Sequence, residues 1–169
     1  FFTNDADNTL LKKFEGVFNN AAVHYFDALV GYFRSSGYFR VRPFLDKVPK
    51  VRILLGIDVD KLIKESHQKG LEFFRQEELT REEFLEDMRA DIQSSKYEKD
   101  TEDGIIQFIK DIADKKLEIR AHPEKKIHAK VYIFRPEPFN EHSNGSVITG
   151  SSNFTDQGLG YGDMHNYEF

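Results

Sequence analysis

In the stretch "KKIHAKVYIF", residues 125–134, a histidine and a lysine stand two positions apart at His128 and Lys130. Five branched or aromatic residues and the following Pro136 read as a strand with its boundary. Side chains on a strand alternate faces at roughly 3.3 Å per residue, so His128 and Lys130 are expected to project together, roughly 7 Å apart. Their face continues through Tyr132 and Phe134, while Ile127, Ala129, Val131 and Ile133 form the other. In the next strand-like segment, "SVITGSSNF", Val147, Thr149, Ser151 and Asn153 are expected to share one face, with Gly150 where a neighbouring group approaches closely. Pairing of the two strands would gather an imidazole, an ammonium, a hydroxyl and a carboxamide. That set suits a phosphate: the lysine and the neutral donors hold its oxygens while the imidazole attacks phosphorus.

The elements that must position this set follow from periodicity. Residues 8–21 carry a cap at Asn8 or Thr9 and apolar residues at 10, 11, 14, 17 and 18, which is helical spacing. A buried strand is expected over 24–33, a turn at Ser35-Ser36-Gly37, a short helix over 38–48 and a strand over 50–57. An acidic helical section spans about 62–116. Within it, 79–93 has a capping box at Thr80 and Glu83, and 101–116 has a core face of Ile105, Phe108, Ile109 and Ile112. Further strands are expected at 117–123, 127–134 and 145–152. Strands interleaved with helices imply an α/β sandwich with a mixed sheet, organised as a single domain over 1–169.

Composition narrows the classes. The 169 residues include 16 Phe and 7 Tyr, which argues against disorder. The absence of cysteine excludes disulfides and thiolate metal sites and favours an intracellular, cytoplasmic setting. Apolar runs such as "VRILLGI" are too short to span a bilayer, so no membrane is expected. The chain opens without Met and ends "MHNYEF", and reads as a piece of a longer protein. The net charge of −5 disfavours a general nucleic-acid coat, yet its distribution is uneven. Basic residues gather at Lys115, Lys116, Arg120, Lys125, Lys126, Lys130 and Arg135, whereas acidic ones crowd 77–103.

Competing chemistries fit less well. His122, His142 and His165 with Asp163 and Glu168 match no metal-ligand spacing, so no metal and no other cofactor is expected. "GLGYG" (158–162) joins no strand to a helix in a dinucleotide fold, and "GSSN" is not a serine-hydrolase elbow. Tyr32, Phe33, Tyr38 and Phe39 are expected in the core in preference to stacking on bases.

"H-A-K" at 128–130 followed by "G-S-S-N" at 150–153 resembles the phospholipase D superfamily, whose signature is H-x-K-x4-D with G-S-x-N downstream. "FDALVGYFRSSGYF", "VRILLGID", "KLEIRAHPEKKIHAKVYIF" and "VITGSSNFTDQGL" extend the resemblance. They are similar to the phospholipase D-like domain at the N-terminus of certain bacterial superfamily 2 helicases and in related restriction nucleases. The resemblance implies an α-β-α sandwich with a mixed sheet and an acidic helical insertion. It implies a metal-independent phosphodiesterase or nuclease working through a phosphohistidine, with DNA expected ahead of RNA. The implied catalytic residues are His128, Lys130, Ser151, Asn153 and, to orient the histidine, Glu168; Lys126, Arg135 and Thr149 are expected to contact substrate. One motif implies a homodimer sharing one active site, and helicase or other domains are expected beyond residue 169. The signature's aspartate would fall at 135, where this chain has Arg135. That departure leaves open an alternative: a non-catalytic DNA-binding or dimerisation module with a degenerate motif.

Overall fold

A computed structural model describes residues 8–59, 65, 67–70, 99–121 and 127–160. The helix expected at 79–93 and the site candidates Lys126 and Glu168 lie outside them, as do His122, Asp163 and His165. The chain runs α1 (Leu10–Asn20), β1 (Tyr25–Phe33), α2 (Ser35–Val41), a 3-10 turn (Arg42–Leu45), β2 (Lys50–Val59), α3 (Lys99–Ala113), β3 (Leu117–Ala121), β4 (Lys130–Arg135), β5 (Ser146–Thr149) and α4 (Asp156–Leu159). Five strands form one mixed sheet in the order β3-β2-β1-β4-β5. The first three run parallel, and β4 pairs antiparallel with both β1 and β5. The protein is therefore of the α/β class.

Register aligns the apolar positions of the strands on one face. Phe26, Ala28 and Val30 of β1 sit beside Val51, Ile53 and Leu55 of β2, and beside Phe134, Tyr132 and Lys130 of β4. Against this face lie Leu10 and Phe14 of α1, Tyr38 and Val41 of α2, and Phe108 and Ile112 of α3. Phe14 is the hub: its ring meets those of Phe26, Tyr132 and Phe134 edge-on at 5.6, 4.9 and 5.4 Å. Such pairs add about 0.5–1.5 kcal/mol each beyond their buried area. The described helices of this core occupy one layer. On the other face Leu29, Leu54, Val131 and Ile133 are half-buried, and the expected second helical layer is not among the described residues.

Helix α1 begins where its cap predicts, with Thr9 Oγ1 accepting from Lys12 N at 3.2 Å. The Ser35-Ser36-Gly37 turn is a correction: these residues open α2. Gly37 is there because an added Cβ would lie 2.6 Å from the Phe154 carbonyl oxygen, so the glycine lets α2 pack closely on the segment that holds Phe154 and does not mark a reversal. The helix expected over 38–48 is shorter too, passing at Arg42 into the 3-10 turn that holds Pro43.

An acidic residue on a helix is ordinarily solvated, but Asp111 of α3 is only 3% exposed. It accepts hydrogen bonds from the Tyr38 hydroxyl at 2.5 Å, from Arg42 Nε at 2.5 Å and from Gln107 Nε2 at 3.0 Å. A buried carboxylate is tolerated only when paired in this way. The network ties α2 and the 3-10 turn to α3. Burial, then the adjacent Asp111 charge, raises the Tyr38 pKa well above its ordinary value of 10.0, and burial raises that of Tyr132 as well.

A pH dependence follows. For each phenol the folded-state pKa lies above the unfolded one, so the native state binds more protons once the unfolded chain begins to ionise. Stability should be unaffected by these groups below the ordinary value of 10.0 and should fall as pH rises above it. Denaturant titrations across that range, with tyrosinate absorbance as the ionisation signal, should show unfolding and phenol ionisation coinciding. Ionisation of all seven tyrosines with the fold intact would contradict the burial.

Candidate active site

His128 and Lys130 meet. Lys130 is the first residue of β4, lies opposite Val30 on the core face and is 8% exposed. Its ammonium lies 2.9 Å from His128 Nε2 and 3.4 Å from the His128 carbonyl oxygen. An ammonium can only donate, so Nε2 is the acceptor. The strand is shorter than expected: His128 precedes β4 and is exposed, so the pair sits at a strand mouth rather than along a flat strand face.

Two irregularities create that mouth. Between Val30 and Tyr32 of β1 the register to β2 slips, pairing Val30 with Leu55 but Tyr32 with Asp58. The burial pattern of β1 changes phase at the same place: Phe26, Ala28 and Val30 are buried, then Gly31 and Phe33. A bulge of this kind re-aims side chains. Here it turns Tyr32 out of the core, and its ring meets that of His128 edge-on at 6.4 Å. The extra β2 residue comes at Gly56–Ile57, where the backbone before His128 crosses: a Cβ on Gly56 would lie 1.8 Å from the Ile127 carbonyl oxygen. Only glycine leaves room for this approach.

After β5 the chain returns to the same corner. Gly150 N donates to the Lys130 carbonyl at 3.3 Å, and the Tyr132 hydroxyl donates to the Ser152 carbonyl at 2.8 Å. Phe154, fully buried, forms an isolated parallel bridge with Phe33. Asn153 is thereby set against β1, its Oδ1 accepting from Tyr32 N at 3.2 Å, which leaves Nδ2 as its donor end. Gly158 of α4 packs beneath it, where a Cβ would lie 2.1 Å from the Asn153 carbonyl oxygen. The "GLGYG" glycines thus begin with a packing contact.

The remaining candidates separate. Ser151 is exposed in the bend after β5. Thr149 pairs with Val131 and Val147 with Ile133, so both occupy the sheet face opposite Lys130, and Thr149 is a correction. The expectation failed because antiparallel register, not sequence parity between segments, decides which residues share a face. Arg135 is likewise not brought to the site. It lies at the far end of β4, on the order of 16 Å from Lys130 at the usual strand rise. There Arg135 Nη2 pairs with Asp27 Oδ2 at 3.1 Å, its guanidinium lies 4.6 Å from the centre of the Tyr25 ring, and Arg52 grips both Asp27 oxygens at 2.6 Å. Tyr32 was read as core and is the site residue that sequence reasoning missed; the "VGY" glycine in a strand was the available signal of a bulge.

The basic window is dispersed. Arg120 pairs with Glu118, Arg135 with Asp27, and Lys116 Nζ donates to the Asp46 carbonyl at 3.3 Å. No cluster of three or more potential metal ligands occurs among the described residues, and no described helix is long and apolar enough to cross a membrane. No protein-family model and no curated protein matches the chain.

The packing at Gly56 can be tested directly. Gly56→Ala should displace the 127–128 backbone, shifting the His128 imidazole resonances and destabilising the fold by roughly 1–3 kcal/mol, as overpacking does. Gly16→Ala is the comparison, because nothing lies within 4 Å of that Cβ and the helix should gain up to about 1 kcal/mol. Unchanged His128 resonances in Gly56→Ala would show that Gly56 does not hold the site.

Proposed function

We propose that this chain is a phospholipase D-like phosphodiesterase module that cleaves nucleic acid without a metal, through a phosphohistidine. The observation that carries this reading is the 2.9 Å contact between the Lys130 ammonium and His128 Nε2 at an exposed strand mouth; Asn153 bonds the backbone of Tyr32, whose ring meets that of His128. The resemblance of "H-A-K" and "G-S-S-N" to the superfamily signature gives the reaction class.

The chemistry follows from the donors. Without substrate, the ammonium donates to Nε2. An entering phosphodiester offers a better acceptor for the same proton, and the transfer of that hydrogen bond releases the Nε2 lone pair beside an activated phosphorus. Attack forms the N–P bond while a P–O bond breaks. Lys130 and the Asn153 carboxamide stabilise the charge on the equatorial oxygens. The leaving oxygen takes a proton from a second imidazole, and water then releases the phosphate from His128. This chain has one such motif, so the second imidazole is assigned to another copy in a two-fold dimer sharing one site. The exposure of His128 fits that arrangement. Glu168, the expected orienting carboxylate, lies outside the described residues.

Arg135 bears on the choice between catalysis and mere binding. Its place in the signature belongs to an aspartate, which favoured a degenerate module. Its remote position and its pairing with Asp27 keep the substitution away from the reacting groups, which supports catalysis.

Two outcomes are expected. In excess EDTA the purified chain should cleave labelled DNA, and acid-labile but base-stable phosphate should accumulate on His128, while His128→Asn should lose activity by at least about a hundredfold, as removal of a nucleophile does. Salt-sensitive DNA binding by both proteins with cleavage by neither would instead identify a phosphate-gripping module. Light scattering at working concentration should give the mass of a dimer, and a monomer that still turns over would remove the shared site.

A further inference from the structure

An open cleft of roughly 680 Å³ is lined in part by Asn153 and by Tyr32, whose ring meets that of His128. Its size falls in the range of small-ligand sites, roughly 300–1,000 Å³. We propose that this cleft is a base subsite, which takes one unpaired nucleobase next to the scissile phosphate and favours bases bearing an exocyclic amino group. The inference rests on the nucleic-acid phosphodiesterase reading and adds the strand state and base preference of its substrate.

The lining decides what fits. A second phosphate would need a wall of one sign, but the lining holds both Arg34 and the Asp156 carboxylate. Such a wall suits a neutral ligand that carries both donors and acceptors. Tyr32 contributes an aromatic ring that the register slip between β1 and β2 has turned out of the core, and aromatic rings in nucleic-acid clefts stack on bases whatever their sequence. Ser36, Thr155 and Gln157 add two hydroxyls and a carboxamide.

Asp156 supplies the discrimination. Among the described residues its buried Oδ1 has no hydrogen-bond partner, and it is ion-paired with Arg40 Nε at 3.6 Å, beyond hydrogen-bond reach. The side chain is nevertheless 33% exposed, which places Oδ2 as the carboxylate oxygen that a ligand can touch. A carboxylate only accepts. Adenine, cytosine and guanine each present an amino N–H₂ on the pairing edge, whereas thymine and uracil present two carbonyl oxygens around a single N–H. Those carbonyls would face the Asp156 oxygen unfavourably. Because the pairing edge must be exposed, the occupant is single-stranded or extruded from a duplex.

The test is binding, read separately from cleavage. Fluorescence anisotropy of short labelled oligo-dA, oligo-dC and oligo-dT would be measured at one fixed salt concentration with the full chain carrying His128→Asn, so that no turnover intervenes. Oligo-dA and oligo-dC should bind about tenfold more tightly than oligo-dT. Adding Asp156→Asn, which keeps the shape but lets the side chain donate as well as accept, should bring the ratio close to one. Gln157→Ala, at an exposed position, provides a second variant independent of the Arg40 contact and should reduce the preference about threefold. Equal binding of the three homopolymers, or a preference that survives both substitutions, would overturn the base subsite. A parent chain that shows the preference yet never cleaves would leave the subsite standing and remove the phosphodiesterase reading.

Discussion

The burial of Phe154 is the constraint on which the site depends. Its ring stacks on Phe33 at 5.3 Å and packs against Phe14 and Tyr132, so it belongs to the same cluster that joins α1 to β1 and β4. Its backbone is held as firmly, with N–H bonded to the Tyr32 carbonyl at 3.3 Å and its carbonyl accepting from Arg34 N at 3.1 Å. Truncating a buried phenylalanine costs about 3–5 kcal/mol, a large share of the 5–15 kcal/mol that stabilises an ordinary domain. That energy anchors a polar, irregular segment. Ser151, Ser152 and Asn153 make little hydrophobic contact of their own, and they keep their place because the residue after them is locked into the core. Asn153 is then fixed against Tyr32, and α4 is fixed beneath Asn153.

Two buried polar groups on this scaffold have different physical meanings. Asp111 accepts four hydrogen bonds from three side chains and joins α2 and the 3-10 turn to α3. A carboxylate so fully paired joins elements and has little capacity left for a ligand. Lys130 is also buried, but among the described residues its partners are an imidazole nitrogen at 2.9 Å and a carbonyl at 3.4 Å, the second of these long for a hydrogen bond. Desolvating an ammonium is expensive, and the neighbours recover the cost incompletely. A phosphate oxygen would complete the coordination. Among the described residues, this incomplete pairing distinguishes Lys130 from the fully paired Asp111.

Much of the scaffold was legible because it is written in periodicity. Apolar spacing located α1, α3 and the strands, and the core face of α3 was read residue by residue. His128, Lys130 and Asn153 stand out in the sequence because residue types carry chemistry wherever they fall, and the structure brings the first two into contact. What could not be read depends on long-range registration. The face of Thr149 is set by its pairing with Val131. The outward turn of Tyr32 is set by one extra residue on a different strand, and the pairing of Arg135 by Asp27, more than a hundred residues away in the chain. Ser35-Ser36-Gly37 was misread for a related reason: glycine commonly signals a turn, but here it allows Phe154 to approach a helix. Buried Asp111 looks in sequence like any other acid on an acidic helix.

Electrostatics connect the fold to the way such a site would bind. Arg52 and Arg135 are paired with Asp27, Arg42 with Asp111 and Arg120 with Glu118, while the chain as a whole carries −5. Each pair joins residues on adjacent strands, neighbouring helices or one strand, so these cations hold the sheet and helices together and are screened from a distant polyanion. Affinity for nucleic acid grows with the number of phosphates neutralised, and committed arginines add little to that number. On the proposed reading, recognition would be concentrated at the strand mouth, in Lys130, the Asn153 carboxamide and the ring of Tyr32. That is the economy expected of a site that stabilises one phosphorus in its transition state, where donors matter by their position relative to developing charge rather than by their count.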